Sequence, residues 1–399
     1  MLWHRKNRPL ADRDPLNALF VITSMPVGGA ETLLVELVRR MDPMRITPEL
    51  CCLKERGPLG ELLAKEIPVY SDLLTNKHDV RVLARLIRII RRRRIDAVVT
   101  VETGDKMFWG RLAARLCGVP VICSALHTTG YPNRIERLNR LLEPITDAFI
   151  AVAEPHGRYL VEEEGCPGRK VHVIPNGIDT ERFRPRPADP RLRAELGLPP
   201  GAPVVGIVAA LRPEKNHEGF LEAASRIRRQ VPDTRFLIVG DGPQRPALER
   251  LARELDIDGA VSFLGTRTDV PEILSLLDVF VLSSRMEANP VSILEAMATS
   301  KPVVAPRVGS IAEAVGEGET GHLIAAGDVE ALADRVVGLL GDPARAVAMG
   351  EAARREVVAR WSVDRMVAGY HDLLEGIYMS KSAPAVSRPC LAAELARRV

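Results

Sequence analysis

Short apolar runs alternate with amphipathic segments along most of this chain, and the alternation starts twice. In the first half the runs cover 18–23, 49–53, 69–73, 97–101, 119–124, 148–152 and 171–174, with helix-period segments between them. Strands separated by helices of that length form right-handed crossovers, which build a parallel sheet covered on both faces. The pattern then restarts over 204–211, 235–239, 261–264, 279–282 and 302–305. Between the two series stands Arg182-Phe183-Arg184-Pro185-Arg186-Pro187-Ala188-Asp189-Pro190, whose prolines suit an extended linker. The expectation is therefore α/β: two doubly wound parallel-sheet domains, 1–185 and 186–362. Three closing helices are expected over 329–340, 344–359 and 363–379, with a tail of mixed composition over 380–399.

A length of 399 residues is enough for two substantial cores. The hydrophobic fraction of 46% and charged fraction of 27% are those of a globular protein. A net charge of +3 is too small to argue for a nucleic-acid partner. Cys51, Cys52, Cys117, Cys123, Cys166 and Cys390 show no C-x-x-C spacing, which argues against a zinc site or a disulfide framework. The opening Met1 to Arg8 is not followed by an apolar segment of signal-peptide length, and no run approaches the roughly 18 residues of a membrane span. A cytoplasmic location is the expectation.

The stretch richest in chemistry is Ser284-Arg285-Met286-Glu287-Ala288-Asn289-Pro290-Val291-Ser292-Ile293-Leu294-Glu295. It follows the apolar run 279–282 and leads into a helix whose start is expected at Asn289 as cap and Pro290 as first helical residue. Glu287 then sits on a loop at the carboxyl end of a strand, and Glu295 on the helix. Open α/β sheets bind ligands at that end, where helix N-termini also offer amides to anions. Two carboxylates there suit a ligand rich in hydroxyls that carries a phosphate. Taken alone, the pair reads as a surface acid and a helix acid with nothing between them.

The stretch resembles the signature of retaining glycosyltransferases of family 4, which have the GT-B architecture of two Rossmann-like domains facing across a cleft. The resemblance implies that Glu287 holds hydroxyls of the transferred sugar and that Glu295 grips the ribose diol of a nucleotide. Where the family often has Gly-Phe-Gly after the first acid, this chain has Ala288, Asn289 and Pro290. The family's final helix commonly crosses back to the first domain, a role implied for 363–379.

Further motifs follow in the family's order. Ser24-Met25-Pro26-Val27-Gly28-Gly29-Ala30-Glu31 joins the first strand to the first helix. By itself such a turn only closes a strand–helix connection, and it is not the G-x-G-x-x-G of nicotinamide or flavin sites. The resemblance places Gly28 and Gly29 near the donor diphosphate and the acceptor. His127, a polar loop residue on its own terms, matches a histidine that hydrogen-bonds the transferred sugar. Asn176-Gly177 reads as a structural tight turn at the hinge. In Ala210-Leu211-Arg212-Pro213-Glu214-Lys215, Lys215 matches the lysine that neutralises the diphosphate, Ala210 stands where the family has arginine, and Arg212 is the candidate replacement. Gly240 lies in a turn implied to help hold the base. Asn289, Gly309 and Ser310 are implied to wall the donor pocket.

Residues of these types suit cleavage of a glycosyl–diphosphate bond, which builds negative charge on the leaving phosphate. Losing one donor aimed at such charge typically costs about 2.7–4 kcal/mol in the transition state. The resemblance implies no metal and no cofactor beyond the nucleotide sugar itself, a UDP- or GDP-sugar. Asp12-Arg13-Asp14 and Asp256-Ile257-Asp258 are D-x-D triplets that follow no nucleotide-binding strand and read as solvated charge. The basic run Arg85 to Arg94 reads as a helix with a solvated face or as a contact for anionic lipid at the inner face of the membrane. The expected function is a retaining transferase acting on a glycan or lipid-linked acceptor in cell-surface polysaccharide or glycolipid assembly. The alternatives are a nucleotide-sugar 2-epimerase of the same fold and a catalytically silent binding protein, the latter kept open by Ala210 and Ala288.

Overall fold

The structure is a computed structural model that describes residues 14–76, 79–101, 107–126 and 141–382. It divides into two compact units, one formed by residues up to Pro175 together with those from Asp364 onward, the other by Asn176–Val363. The first unit holds a parallel sheet of seven strands: β1 (Leu16–Ile22), β2 (Ile46–Cys52), β3 (Val69–Tyr70), β4 (Ala97–Val101), β5 (Val121–Ala125), β6 (Ala148–Ala151) and β7 (Val171–Val173), ordered β3-β2-β1-β4-β5-β6-β7. Every residue of β4 and β5 is buried, as expected of central parallel strands covered by helices on both faces. In the helix Arg81–Arg93 the buried residues Val82, Leu86 and Ile90 recur at helical spacing, so one stripe packs inward and the arginines face out. Arg81 and Arg85 pair with Asp79, and Arg93 pairs with Glu49.

The second unit repeats the scheme with β8 (Val204–Val208), β9 (Arg235–Val239), β10 (Val261–Gly265), β11 (Val279–Val281), β12 (Val303–Pro306) and β13 (Gly321–Ile324), ordered β10-β9-β8-β11-β12-β13 and parallel throughout. Its core is continuous from Ile178 to Trp361 and is centred on Ile207, Phe220, Phe236 and Phe280. Sequence patterning overlooks β13. That strand is short, its only adjacent aliphatic residues are Leu323 and Ile324, and a glycine and a histidine make up the rest.

The division falls at Pro175, ten residues before the expected boundary at 185. Ile178 and Phe183 are buried in the core of the second unit, and Arg354 donates to the carbonyls of Thr180 and Phe183. The proline-rich stretch is thus attached to that unit rather than spanning between the two. It ends in the helix Pro190–Glu195, capped by the Asp189 side chain on the amide of Arg191. The return crossing lies beside the outgoing one: Ile178 N donates to Trp361 O at 2.8 Å, and Val363 N donates to Ile178 O at 2.9 Å.

The last helix, Val363–Ser382, packs on the first unit through buried Tyr370, Leu374 and Tyr378. Glu375 takes Arg45 at 2.5 Å, and Lys381 pairs with Asp147 at 2.5 Å. The helix therefore runs three residues past the expected 379. Among the described residues no helix is long and apolar enough to cross a membrane.

Candidate functional site

In the second sheet the strand order reverses at β8: the chain leaves β8 toward β9 and β10, then returns to lay β11 on its other side. The loops leaving β8 and β11 at their carboxyl ends stand at this switch point, the place where such sheets bind ligands. These two loops carry Lys215 and Glu287. Three hydrogen bonds fasten them together. Arg285 N donates to Glu214 O at 2.8 Å, Ser283 Oγ to Lys215 O at 3.0 Å, and Asn216 Nδ2 to Ser283 O at 3.2 Å. Asn216 adopts φ +51° to turn into the helix His217–Gln230, a left-handed conformation that asparagine tolerates better than most residues.

Glu287 is buried, only 8% exposed. Its Oε1 accepts from Lys215 Nζ at 2.6 Å and from Ser284 Oγ at 2.6 Å. Buried carboxylates need such partners, because removing one leaves an uncompensated charge in a medium that solvates it poorly. The loop is pinned from below by Gly309, which adopts φ +53°; a Cβ at that position would collide with the Glu287 carbonyl oxygen. Glycine is required there on both counts.

Glu295 lies on the helix Val291–Ala298. Its carboxyl has no hydrogen-bond partner among the described residues. Burial pushes it up to about 7, opposed by the Arg182 charge. The helix begins one residue later than expected. Pro290 is the N-cap with extended backbone (ψ 111°), and no side chain caps the first turn. Asn289 does not cap it; its carbonyl accepts from Asn176 Nδ2 at 3.4 Å. Ile293 N is taken by Pro290 O at 3.2 Å, which leaves the amides of Val291 and Ser292 for an anion.

The remaining candidates are distributed as follows. Arg212 is exposed on the β8 loop and makes no ion pair among the described residues. Gly240 N donates to Gly265 O at 2.9 Å, closing the turn after β9 against the end of β10. Ser310 is buried at the start of the short helix Ile311–Ala314, and its amide donates to Ala288 O at 3.2 Å. In the first unit, Gly28 is the N-cap of the helix Gly29–Arg40, and the Glu31 carboxylate folds over it so closely that a Cβ at 28 would collide. His127, Asp12 and Arg13 lie outside the described residues. The second D-x-D triplet, Asp256 to Asp258, spans the turn between a helix and β10.

Sequence reasoning missed Ser283, Ser284 and Asn216, the groups that position Lys215 and Glu287. The only available signal was a hydroxyl three residues before the first glutamate. It also missed His217, a buried imidazole next to Lys215 whose two ring nitrogens have no hydrogen-bond partner among the described residues. Burial pushes this ring down to about 4, with the Lys215 charge adding to the effect, so it is neutral near pH 7. Among the described residues no three His, Cys, Asp or Glu side chains gather as a metal site.

Comparison with known proteins matches both halves. The family described as Glycosyltransferase Family 4 matches residues 27–182, and that described as Glycosyl transferases group 1 matches residues 188–356. The 2-deoxystreptamine glucosyltransferase of Streptomyces kanamyceticus is 31% identical over 279 residues, 65% of this chain and 72% of that protein. The UDP-Gal:alpha-D-GlcNAc-diphosphoundecaprenol alpha-1,3-galactosyltransferase of Escherichia coli is 28% identical over 345 residues, 82% of this chain and 89% of that one. Among solved structures, HepE of Anabaena in complex with UDP-glucose superposes with a TM-score of 0.80 at 23% identity, covering 90% of this chain and 100% of HepE.

Proposed function

Because this chain belongs to glycosyltransferase family 4 and is a glycosyltransferase of the GT-B fold, we propose that it moves a sugar, with retention at the anomeric carbon, from a UDP- or GDP-sugar to a glycan or lipid-linked acceptor of cell-surface polysaccharide or glycolipid assembly. The observation that carries this reading is the contrast between the two acids at the switch point. Glu287 is fixed by a cation and a hydroxyl on one oxygen, while Glu295 is desolvated and unpartnered among the described residues. A ligand that supplies hydroxyls to Glu295 and a diphosphate to Lys215 satisfies both.

In this reading the bond between the anomeric carbon and the diphosphate oxygen breaks, and the leaving phosphate takes the electron pair. Lys215, the amides of Val291 and Ser292 and Arg212 stabilise that charge. The acceptor hydroxyl adds on the same face of the sugar and gives its proton to the departing phosphate oxygen. Glu287 orients the sugar, and Glu295 holds the ribose. No step calls for a metal, so transfer is expected to persist in EDTA; a strict requirement for Mg²⁺ or Mn²⁺ would contradict the charge assignment. The reading itself is tested by screening nucleotide sugars by thermal shift. A true donor at 100 times its dissociation constant stabilises the fold by about 2.7 kcal/mol. Absence of any shift across UDP- and GDP-sugars would refute it.

The raised Glu295 carboxyl adds a pH signature. Ribose hydroxyls donate to the ionised form, so binding lowers the pKa from about 7 and releases a proton near neutrality. Affinity for the nucleoside diphosphate is therefore present above pH 7 and falls as pH drops through it, by up to about tenfold per unit. Calorimetry in buffers of different ionisation enthalpy measures the released proton, and Glu295→Gln removes that part of it. Proton release identical in the wild type and the variant would exclude Glu295 as its source.

A further inference from the structure

Ser284 stands at the end of the loop strand-side of Glu287 and is completely buried. Its Oγ and the Lys215 ammonium both donate to the same carboxylate oxygen, Oε1, each at 2.6 Å. The other oxygen, Oε2, has no hydrogen-bond partner among the described residues. Charge-assisted bonds of this length hold a carboxylate in one rotamer. With one oxygen doubly bonded and the Glu287 backbone pinned over Gly309, the carboxylate presents a single free oxygen in a fixed direction. A lone lysine would not achieve this, since its flexible stem lets the carboxylate turn and exchange oxygens.

We propose that Ser284 is a positioning residue for the transfer step: with Lys215 it saturates Oε1 of Glu287, so that Oε2 is the oxygen that accepts from a hydroxyl of the transferred sugar. This rests on the reading that Glu287 meets the sugar. Without the serine, Glu287 keeps its charge and its lysine but loses its fixed orientation. The sugar is then held in several poses, few of them aligned for attack. Neither Ser284 nor Oε2 faces the diphosphate in this arrangement, so nucleotide binding is spared.

The test compares wild type, Ser284→Ala, Glu287→Gln and the double variant, with kinetics on the donor sugar and calorimetry with the nucleoside diphosphate alone. Ser284→Ala is expected to lower kcat by about tenfold or more while diphosphate affinity stays within about twofold, because an interaction acting only on orientation appears in turnover and not in nucleotide binding. Adding Ser284→Ala to Glu287→Gln is expected to cost little more than Glu287→Gln alone, the non-additivity of groups that act as one unit. Unchanged kcat in Ser284→Ala, full additivity in the double variant, or a loss of diphosphate affinity equal to the loss of kcat would each overturn the assignment. In those three outcomes the wild type still binds nucleotide and transfers sugar, so the proposed function stands. A wild type that binds no nucleoside diphosphate would overturn both.

Discussion

Lys215→Ala is expected to lower kcat by about two to three orders of magnitude, the loss typical when one donor aimed at developing negative charge is removed. The structure gives this substitution a second effect. Lys215 is also the cation that neutralises buried Glu287 at 2.6 Å, so the variant leaves a carboxylate with only the Ser284 hydroxyl for company. Arg212→Ala separates the clamp from this coupling, since Arg212 is exposed and makes no ion pair among the described residues. A loss of about tenfold is expected if Arg212 supplies the charge missing at Ala210, one contact to a developing charge being worth at least that much. Steady-state kinetics on purified variants decide both points. Full activity in Arg212→Ala would show that Ala210 is uncompensated, and full activity in Lys215→Ala would remove the lysine from the mechanism.

Much of the architecture was legible because parallel strands buried on both faces announce themselves as uninterrupted apolar runs. The runs at 97–101 and 235–239 match β4 and β9 residue for residue. The misplaced elements have local causes. β13 carries too few aliphatic residues to register, and the proline-rich stretch looked like a linker because prolines say how a segment runs, not which core receives Phe183. The helix start was misread by one position: Asn289 and Pro290 fit a cap and first residue by type, but the Pro290 backbone is extended and the Asn289 carbonyl is turned toward Asn176. Glu287, Glu295 and Lys215 were legible as candidates from motif resemblance. Their mutual arrangement was not. The Lys215–Glu287 pair joins residues 72 positions apart, and only the reversal of strand order at β8 brings their loops together. The environment of Glu295 likewise depends on Arg182, far away in sequence.

In the proposed reaction the two glutamates divide one donor between them. Glu295→Gln is expected to weaken the nucleoside diphosphate and the nucleotide sugar alike, because a hydrogen bond to a charged group contributes roughly 1.5–3 kcal/mol, or about ten- to a hundredfold in affinity. Glu287→Gln is expected to lower kcat by a similar or larger factor without weakening the diphosphate, since in the proposed reaction Glu287 meets only the sugar and its replacement releases Lys215 from their ion pair. Calorimetric titration of each variant with the nucleoside diphosphate alone is the most direct test. Affinity is expected to fall in Glu295→Gln and to be kept in Glu287→Gln; equal loss in both variants would refute the division of roles.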